Sequence, residues 1–171
     1  MKFVKPNFWQ TKNFVSSILY PLTSITSVIN TLKNIVPKKK FLIKTICVGN
    51  IYLGGTGKTS LTIEIQKLLS KKFKTVFIKK NYLNQLDEIT LLNKKGKVIS
   101  NKNREKALAL ASKKKFNLAI LDDGLQQKNI EYEVKIICFN SKEGLGNGWL
   151  LPAGPLRENI SRLKKYDIAF I

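Results

Sequence analysis

Residues 46–60 read ICVGNIYLGGTGKTS, an apolar stub running into a glycine-rich loop that closes on Gly57-Lys58-Thr59. Few segments constrain a fold more. Glycines let backbone N–H groups turn inward onto phosphate oxygens, Lys58 reaches the β- and γ-phosphates, and the Thr59 hydroxyl ligates Mg²⁺. A helix opening at Lys58 adds its positive dipole end. Ile46-Cys47-Val48 reads as the strand before the loop, and Leu61, Ile65, Leu68 and Leu69 repeat at helical spacing after it. The nucleotide-binding residues are therefore expected to be Gly54, Gly55, Thr56, Gly57, Lys58 and Thr59. The strict pattern places glycine where this chain has Tyr52.

Alternation continues downstream. Strands are expected near 43–48, 74–78, 118–121, 134–139 and 167–171, with a stub at Val98-Ile99. Helices are expected near 58–71, 86–93 and 103–114, the last capped by Asn101 or Asn103. This is an α/β, P-loop NTPase-like fold: a mostly parallel sheet flanked by helices. The 171 residues suffice for one such domain, here 41–171, and apolar residues make up 43% of them, as in a globular chain.

Residues 1–40 differ. Phe14 to Leu32 carry no charge, yet serines, threonines and Asn30 interrupt them and Pro21 breaks them. That is too polar for an ordinary spanning helix. Two amphipathic helices are expected instead, with Phe8, Val15, Ile18 and Leu19 on one face of the first. Ile25, Val28, Ile29, Leu32 and Val36 share one face of the second. Such faces lie in a membrane interface or pack on the domain's own core. Lys38, Lys39 and Lys40 follow, a basic cluster suited to anionic lipid.

The chain has a formal charge of +20, from 31 basic and 11 acidic residues. Such an excess fits a solvated surface or an anionic membrane. Only Arg104, Arg157 and Arg162 are arginines, and no stacking motif appears, so nucleic acid is not an expected partner. Cys47 and Cys138 lie in apolar runs and are expected to be buried, reduced thiols. There is no histidine, so histidine chemistry is excluded within this chain.

Three acidic contexts carry candidate chemistry. Leu118–Asp122 is an apolar strand ending in Asp122-Asp123, where a P-loop enzyme needs an acid for Mg²⁺ or its waters; a solvated turn is the alternative. Gly146–Glu158 (GNGWLLPAGPLRE) is a rigid glycine- and proline-dense loop. Its Arg157 either stabilises a transferring phosphoryl group or pairs with Glu158 or another neighbour. Asp87-Glu88 follows the second strand, where either acid accepts a proton from a hydroxyl or serves as helix N-terminal charge.

Together these segments resemble the tetraacyldisaccharide 4′-kinase family. The resemblance rests on Val48–Thr59, on LDDGLQ at Leu121–Gln126, on Gly146–Glu158 and on the following Ser161-Arg162-Leu163. Trp9 and Tyr20-Pro21-Leu22 look like the family's N-terminal region. The family's loop also has a non-glycine residue at the Tyr52 position. The resemblance implies ATP-dependent phosphorylation of the 4′-hydroxyl of an acylated glucosamine disaccharide lipid, at the cytoplasmic face of the bacterial inner membrane. It implies ATP and Mg²⁺ as cofactors, with Thr59, Asp122, Asp123 and Glu158 serving the metal and its waters. Arg157 then holds phosphate, and Asp87 becomes the base for the sugar hydroxyl. Departures stand at Lys80-Asn81-Tyr82-Leu83, Ser60, Trp149 and Asn159. Family chains are longer and carry a second α/β domain with a histidine paired to the base, so this chain is expected to be truncated or reduced, with phosphoryl transfer to lipid impaired. The competing readings are a membrane-associated P-loop ATPase or switch, and a nucleotide-binding remnant without catalysis.

Overall fold

The computed structural model describes residues 5–81 and 86–171. Six parallel strands form its sheet: β1 (Lys44–Gly49), β2 (Thr75–Lys80), β3 (Val98–Asn101), β4 (Leu118–Asp122), β5 (Val134–Cys138) and β6 (Ile168–Phe170), in spatial order β3-β2-β4-β1-β5-β6. The helices are α1 (Phe14–Leu19), α2 (Thr23–Ile35), α3 (Lys58–Leu69), α4 (Leu86–Asn93) and α5 (Arg104–Lys113). Each strand and helix expected from residue 43 onward is present, with ends shifted by a residue or two, as fraying ends do. At the N-terminus Phe8 lies in a 3-10 turn (Asn7–Trp9) ahead of α1 and not on its face.

The strands are apolar on both faces because helices cover both. Side chains alternate: in β4, Leu118 and Ile120 join Phe77, Ile63, Ile65 and Leu69 on the α3 side. Ala119 and Leu121 join Val76, Ile78, Ala107, Leu108 and Ala111 on the α5 side. This period of two fixes the site. Asp122 has the parity of Ile120, and Lys79 has the parity of Phe77, so both belong to the α3 face. Pairing of Ile78 with Leu121 and of Val48 with Asp122 sets Lys79, Asp122 and the end of β1 side by side at the carboxyl edge. In open α/β sheets that edge binds ligands.

Local signals explain the helix ends. The Asn103 side chain accepts from the Glu105 and Lys106 backbone N–H groups and caps α5. Asn13 caps α1 in a reciprocal box with Ser16. A 3-10 turn at Tyr20–Leu22 joins α1 to α2, so helical backbone runs from Phe14 to Ile35. By length and composition this stretch is long and apolar enough to cross a membrane, which corrects the expectation of a run too polar to span and broken at Pro21. Pro21 sits at the start of the 3-10 turn, where its missing N–H costs no helical hydrogen bond. The packing of this stretch is inverted relative to a core helix. Thr26 donates to the Leu151 carbonyl, Asn30 to the Arg157 carbonyl, and Asn34 accepts from Arg162. The polar face meets the domain, while Ile18, Ile25, Val28 and Leu32 are each more than half exposed.

Residues 146–158 form a loop folded back on the chain's beginning. Asn147 donates to the Phe8 and Ala153 carbonyls, and Trp9 Nε1 donates to the Pro152 carbonyl. Gly154 is required by close approach, since a Cβ there would overlap Asn147 Oδ1 and the Trp149 carbonyl. Cys47 and Cys138 are buried free thiols.

Candidate active site

The loop between β1 and α3 is built to hold its carbonyls and N–H groups in place. Gly57, at φ +75°, is the left-handed N-cap of α3, a conformation glycine adopts without strain. Buried Asn50 donates to the Tyr52 carbonyl at 2.6 Å and to the Gly54 carbonyl at 3.3 Å. The Asn50 carbonyl accepts from Gln126 Nε2 at 2.6 Å. Tyr52, in place of the usual glycine, is 1% exposed and belongs to the core beneath the loop. Leu53 N–H donates to Pro155, and Arg157 N–H donates to Ile51, so the 146–158 loop is stitched onto the phosphate loop.

Around this loop the charged side chains converge. Thr59 Oγ1 donates to Asp122 Oδ2 at 3.0 Å. Asp123 leaves β4 at φ +57°. Its Oδ1 lies 3.9 Å from Lys58 Nζ and 3.6 Å from Arg157 Nη1. Asp123 therefore orients two cations toward one space above the glycine loop. Arg157 pairs with Asp123 and not with its sequence neighbour Glu158. Asp122 is fully buried, yet its Oδ1 has no hydrogen-bond partner, and neither does the buried Thr56 Oγ1. Buried oxygens of this kind are normally satisfied. A carboxylate oxygen and a hydroxyl beside a phosphate loop fit a hydrated Mg²⁺ and a nucleotide phosphate.

Other expected site residues lie further out. Asp87 and Glu88 occupy the first turn of α4, with Asp87 exposed. Glu158 is 1% exposed; Lys128 donates to both of its oxygens at 2.7 and 3.0 Å, and the Tyr166 hydroxyl donates at 3.2 Å. Burial, then the Glu158 carboxylate, push the Tyr166 hydroxyl well above its ordinary pKa. Of the departing segment at 80–83, Tyr82 and Leu83 lie outside the described residues. Among the described residues, no group of three or more His, Cys, Asp or Glu side chains is placed to hold a metal.

Sequence reasoning missed Lys79. It is 2% exposed, donates to Asp122 Oδ2 at 2.6 Å and also donates to Glu88. Burial disfavours its ammonium, but the Asp122 and Glu88 carboxylates more than offset this and raise its pKa. The available signal was strand parity in TVFIKK, which turns Lys79 inward. Arg104 was missed as well: buried, it donates to the Asp123 carbonyl at 2.6 Å and to Gln127 Oε1 at 3.2 Å.

A groove of about 460 Å³ runs from Asp123 and Arg157 to Thr26, Ile29 and Asn30 of α2. Lys33, Arg104 and Gln126 also line a second cavity of about 460 Å³, with Lys80 and Lys102. A largely basic groove thus leads from Asp123 and Arg157 toward the outward-facing N-terminal helix.

The family model described as tetraacyldisaccharide-1-P 4′-kinase matches residues 14–88 and 83–171. The tetraacyldisaccharide 4′-kinase of Pelagibacter ubique is 50% identical over 177 residues, covering 100% of this chain and 55% of that protein. Its counterpart from Rickettsia bellii is 33% identical over 190 residues, covering 100% of this chain and 59% of its own length. This chain is also similar to the crystal structure of LpxK from Aquifex aeolicus in complex with ATP. That similarity has a TM-score of 0.79 and 26% identity over 91% of this chain and 58% of that one. The chain thus spans between half and two thirds of the length of these relatives.

Proposed function

This chain belongs to the tetraacyldisaccharide-1-P 4′-kinase family, and on that premise we propose that it binds Mg-ATP and transfers the γ-phosphoryl group to the 4′-hydroxyl of a tetraacylated disaccharide 1-phosphate. The observation that carries the reading is the convergence of Lys58 and Arg157 on Asp123 beside the Thr59–Asp122 pair. A loose phosphoryl-transfer transition state spreads charge over equatorial oxygens, and fixed cations and donors stabilise it.

Gly54, Gly55, Thr56 and Gly57 supply the backbone cradle. Lys58 reaches the β- and γ-phosphates, and Arg157 stabilises the transferring group. Mg²⁺, when bound, would neutralise charge on the phosphate oxygens. Thr59 and the free Oδ1 of Asp122 would hold it. A metal role for Glu158 requires that Lys128 release its carboxylate; in the arrangement described, Glu158 anchors the loop that carries Arg157. Asp87, exposed in the first turn of α4, takes the proton from the sugar hydroxyl.

The acceptor reaches this centre along the groove beside α2. Exposed Ile18, Ile25, Val28 and Leu32 seat the chain in the interface of the inner membrane, at its cytoplasmic face. The polar face is already committed to the domain, which favours lying in the interface over spanning the bilayer. Lys33 and Lys102 then face the anionic lipid head.

Partition of label from γ-labelled ATP between a lipid extract and inorganic phosphate tests the proposal. Label in the disaccharide supports it. Label only in inorganic phosphate points to an ATPase or switch and overturns it.

A further inference from the structure

We propose that Lys79 is a positioning residue that ties helix α4 to the metal-side carboxylate, so that the phosphate site and the acceptor-side acid are set as one unit. The proposal rests on the kinase reading for its meaning but not for its test. Lys79 stands at the penultimate position of β2, inward by parity, with Asp122 on the neighbouring strand. Its ammonium donates to Asp122 Oδ2 at 2.6 Å and to Glu88 Oε2. Thr59 occupies the same Asp122 oxygen, which leaves Oδ1 as the free one. The Asp122 carboxylate is thereby locked in one orientation, with Oδ1 turned to the ligand side.

The second arm of the clamp reaches α4. Glu88 is the residue after Asp87, and its side chain, 44% exposed, is drawn inward by its contact with Lys79. Helix α4 also packs through half-buried Ile89 and through Leu92, which is fully buried near its far end. Glu88 thus contributes a charged contact that holds the first turn, where Asp87 sits. A bound Mg-ATP that engages Asp122 acts on Lys79 and, through it, on α4. The coupling runs through two contiguous charge-assisted hydrogen bonds.

Hydrogen exchange on the 171-residue protein, with and without Mg-ATP, tests this directly. In the wild type, Mg-ATP should slow exchange of the α4 amides. Glu88→Ala, at a half-exposed site that leaves the Lys79–Asp122 pair intact, should still bind Mg-ATP by calorimetry but lose that protection. Glu88→Gln, which can still accept from Lys79, should restore part of it. Lys79→Met should lose it as well. In a lipid phosphorylation assay, Glu88→Ala should lower kcat about tenfold to a hundredfold, the loss expected for one charged hydrogen bond, with KM for Mg-ATP unchanged. Equal protection of α4 in Glu88→Ala, or a wild-type α4 indifferent to Mg-ATP, would overturn the proposal. Protection of α4 without any label in lipid would retain the clamp and sink the kinase reading instead.

Discussion

Replacing Asp122 by alanine should destabilise the domain more than almost any other change at the site. The carboxylate is fully buried and its main partner, Lys79, is 2% exposed. Removing one side of a buried ion pair costs about 3–5 kcal/mol. Glu88 remains as a half-exposed counter-charge for Lys79, which puts the loss near the lower end, about 3 kcal/mol. Thr59 also loses its acceptor, for about 1 kcal/mol more. A total of about 4 kcal/mol is a large part of the roughly 5–15 kcal/mol that holds a domain together. With a urea dependence of about 2 kcal/mol/M, the unfolding midpoint should fall by about 2 M. Asp122→Asn, which still accepts hydrogen bonds, should lose less. The double variant Lys79→Met/Asp122→Leu removes both charges and fills the space, and should be more stable than Asp122→Ala alone. Asp122→Ala within about 1 kcal/mol of wild type, or a double variant less stable than the single, would refute the reasoning.

Three further outcomes are expected. Asp87→Asn should lower turnover on the lipid while leaving Mg-ATP affinity unchanged by calorimetry, because Asp87 is exposed on α4, outside the phosphate loop. Co-sedimentation with anionic vesicles should weaken with salt and fall sharply in Ile25→Asp/Leu32→Asp, whose side chains point away from the domain at 57% and 60% exposure, with no change in melting temperature. Burial pushes the Cys47 thiol up to about 12 and the Cys138 thiol up to about 11, from an ordinary value of 9.0. Both should resist iodoacetamide at pH 8 until the chain unfolds. Their contribution to stability is full below pH 9 and is lost as pH rises toward 11–12, since the unfolded chain then releases protons that the folded one retains.

Much of the fold was legible because local signals agreed. Apolar strands, the Asn103 cap and the GGTGKT turn each specify their own element without distant information. The ion pair of Lys58 with Asp123 was not legible, since the phosphate-loop pattern sends the lysine to phosphate and the strand-end acids to Mg²⁺. Nor was Lys79, because a lysine at a strand end ordinarily faces water, and only the β2–β4 register reveals Asp122 beside it. Arg157 and Glu158 are adjacent in sequence but diverge, one to Asp123 and the other to Lys128; spacing alone gives no direction to either. In α2, periodicity identified two faces but not which one meets the domain. The hydrogen bonds of Thr26 and Asn30 to the 146–158 loop decide that, and those partners lie more than 120 residues away.

The most direct test of the account is to locate the new phosphate after incubating the chain with Mg-ATP and the tetraacyldisaccharide 1-phosphate on anionic vesicles. A 1,4′-bisphosphate should form, and only with Mg²⁺. Its rate should drop on the order of 10²–10³ in Lys58→Ala, the loss typical of one well-placed electrostatic group. Phosphate at another position, or an undiminished rate in Lys58→Ala, would contradict it.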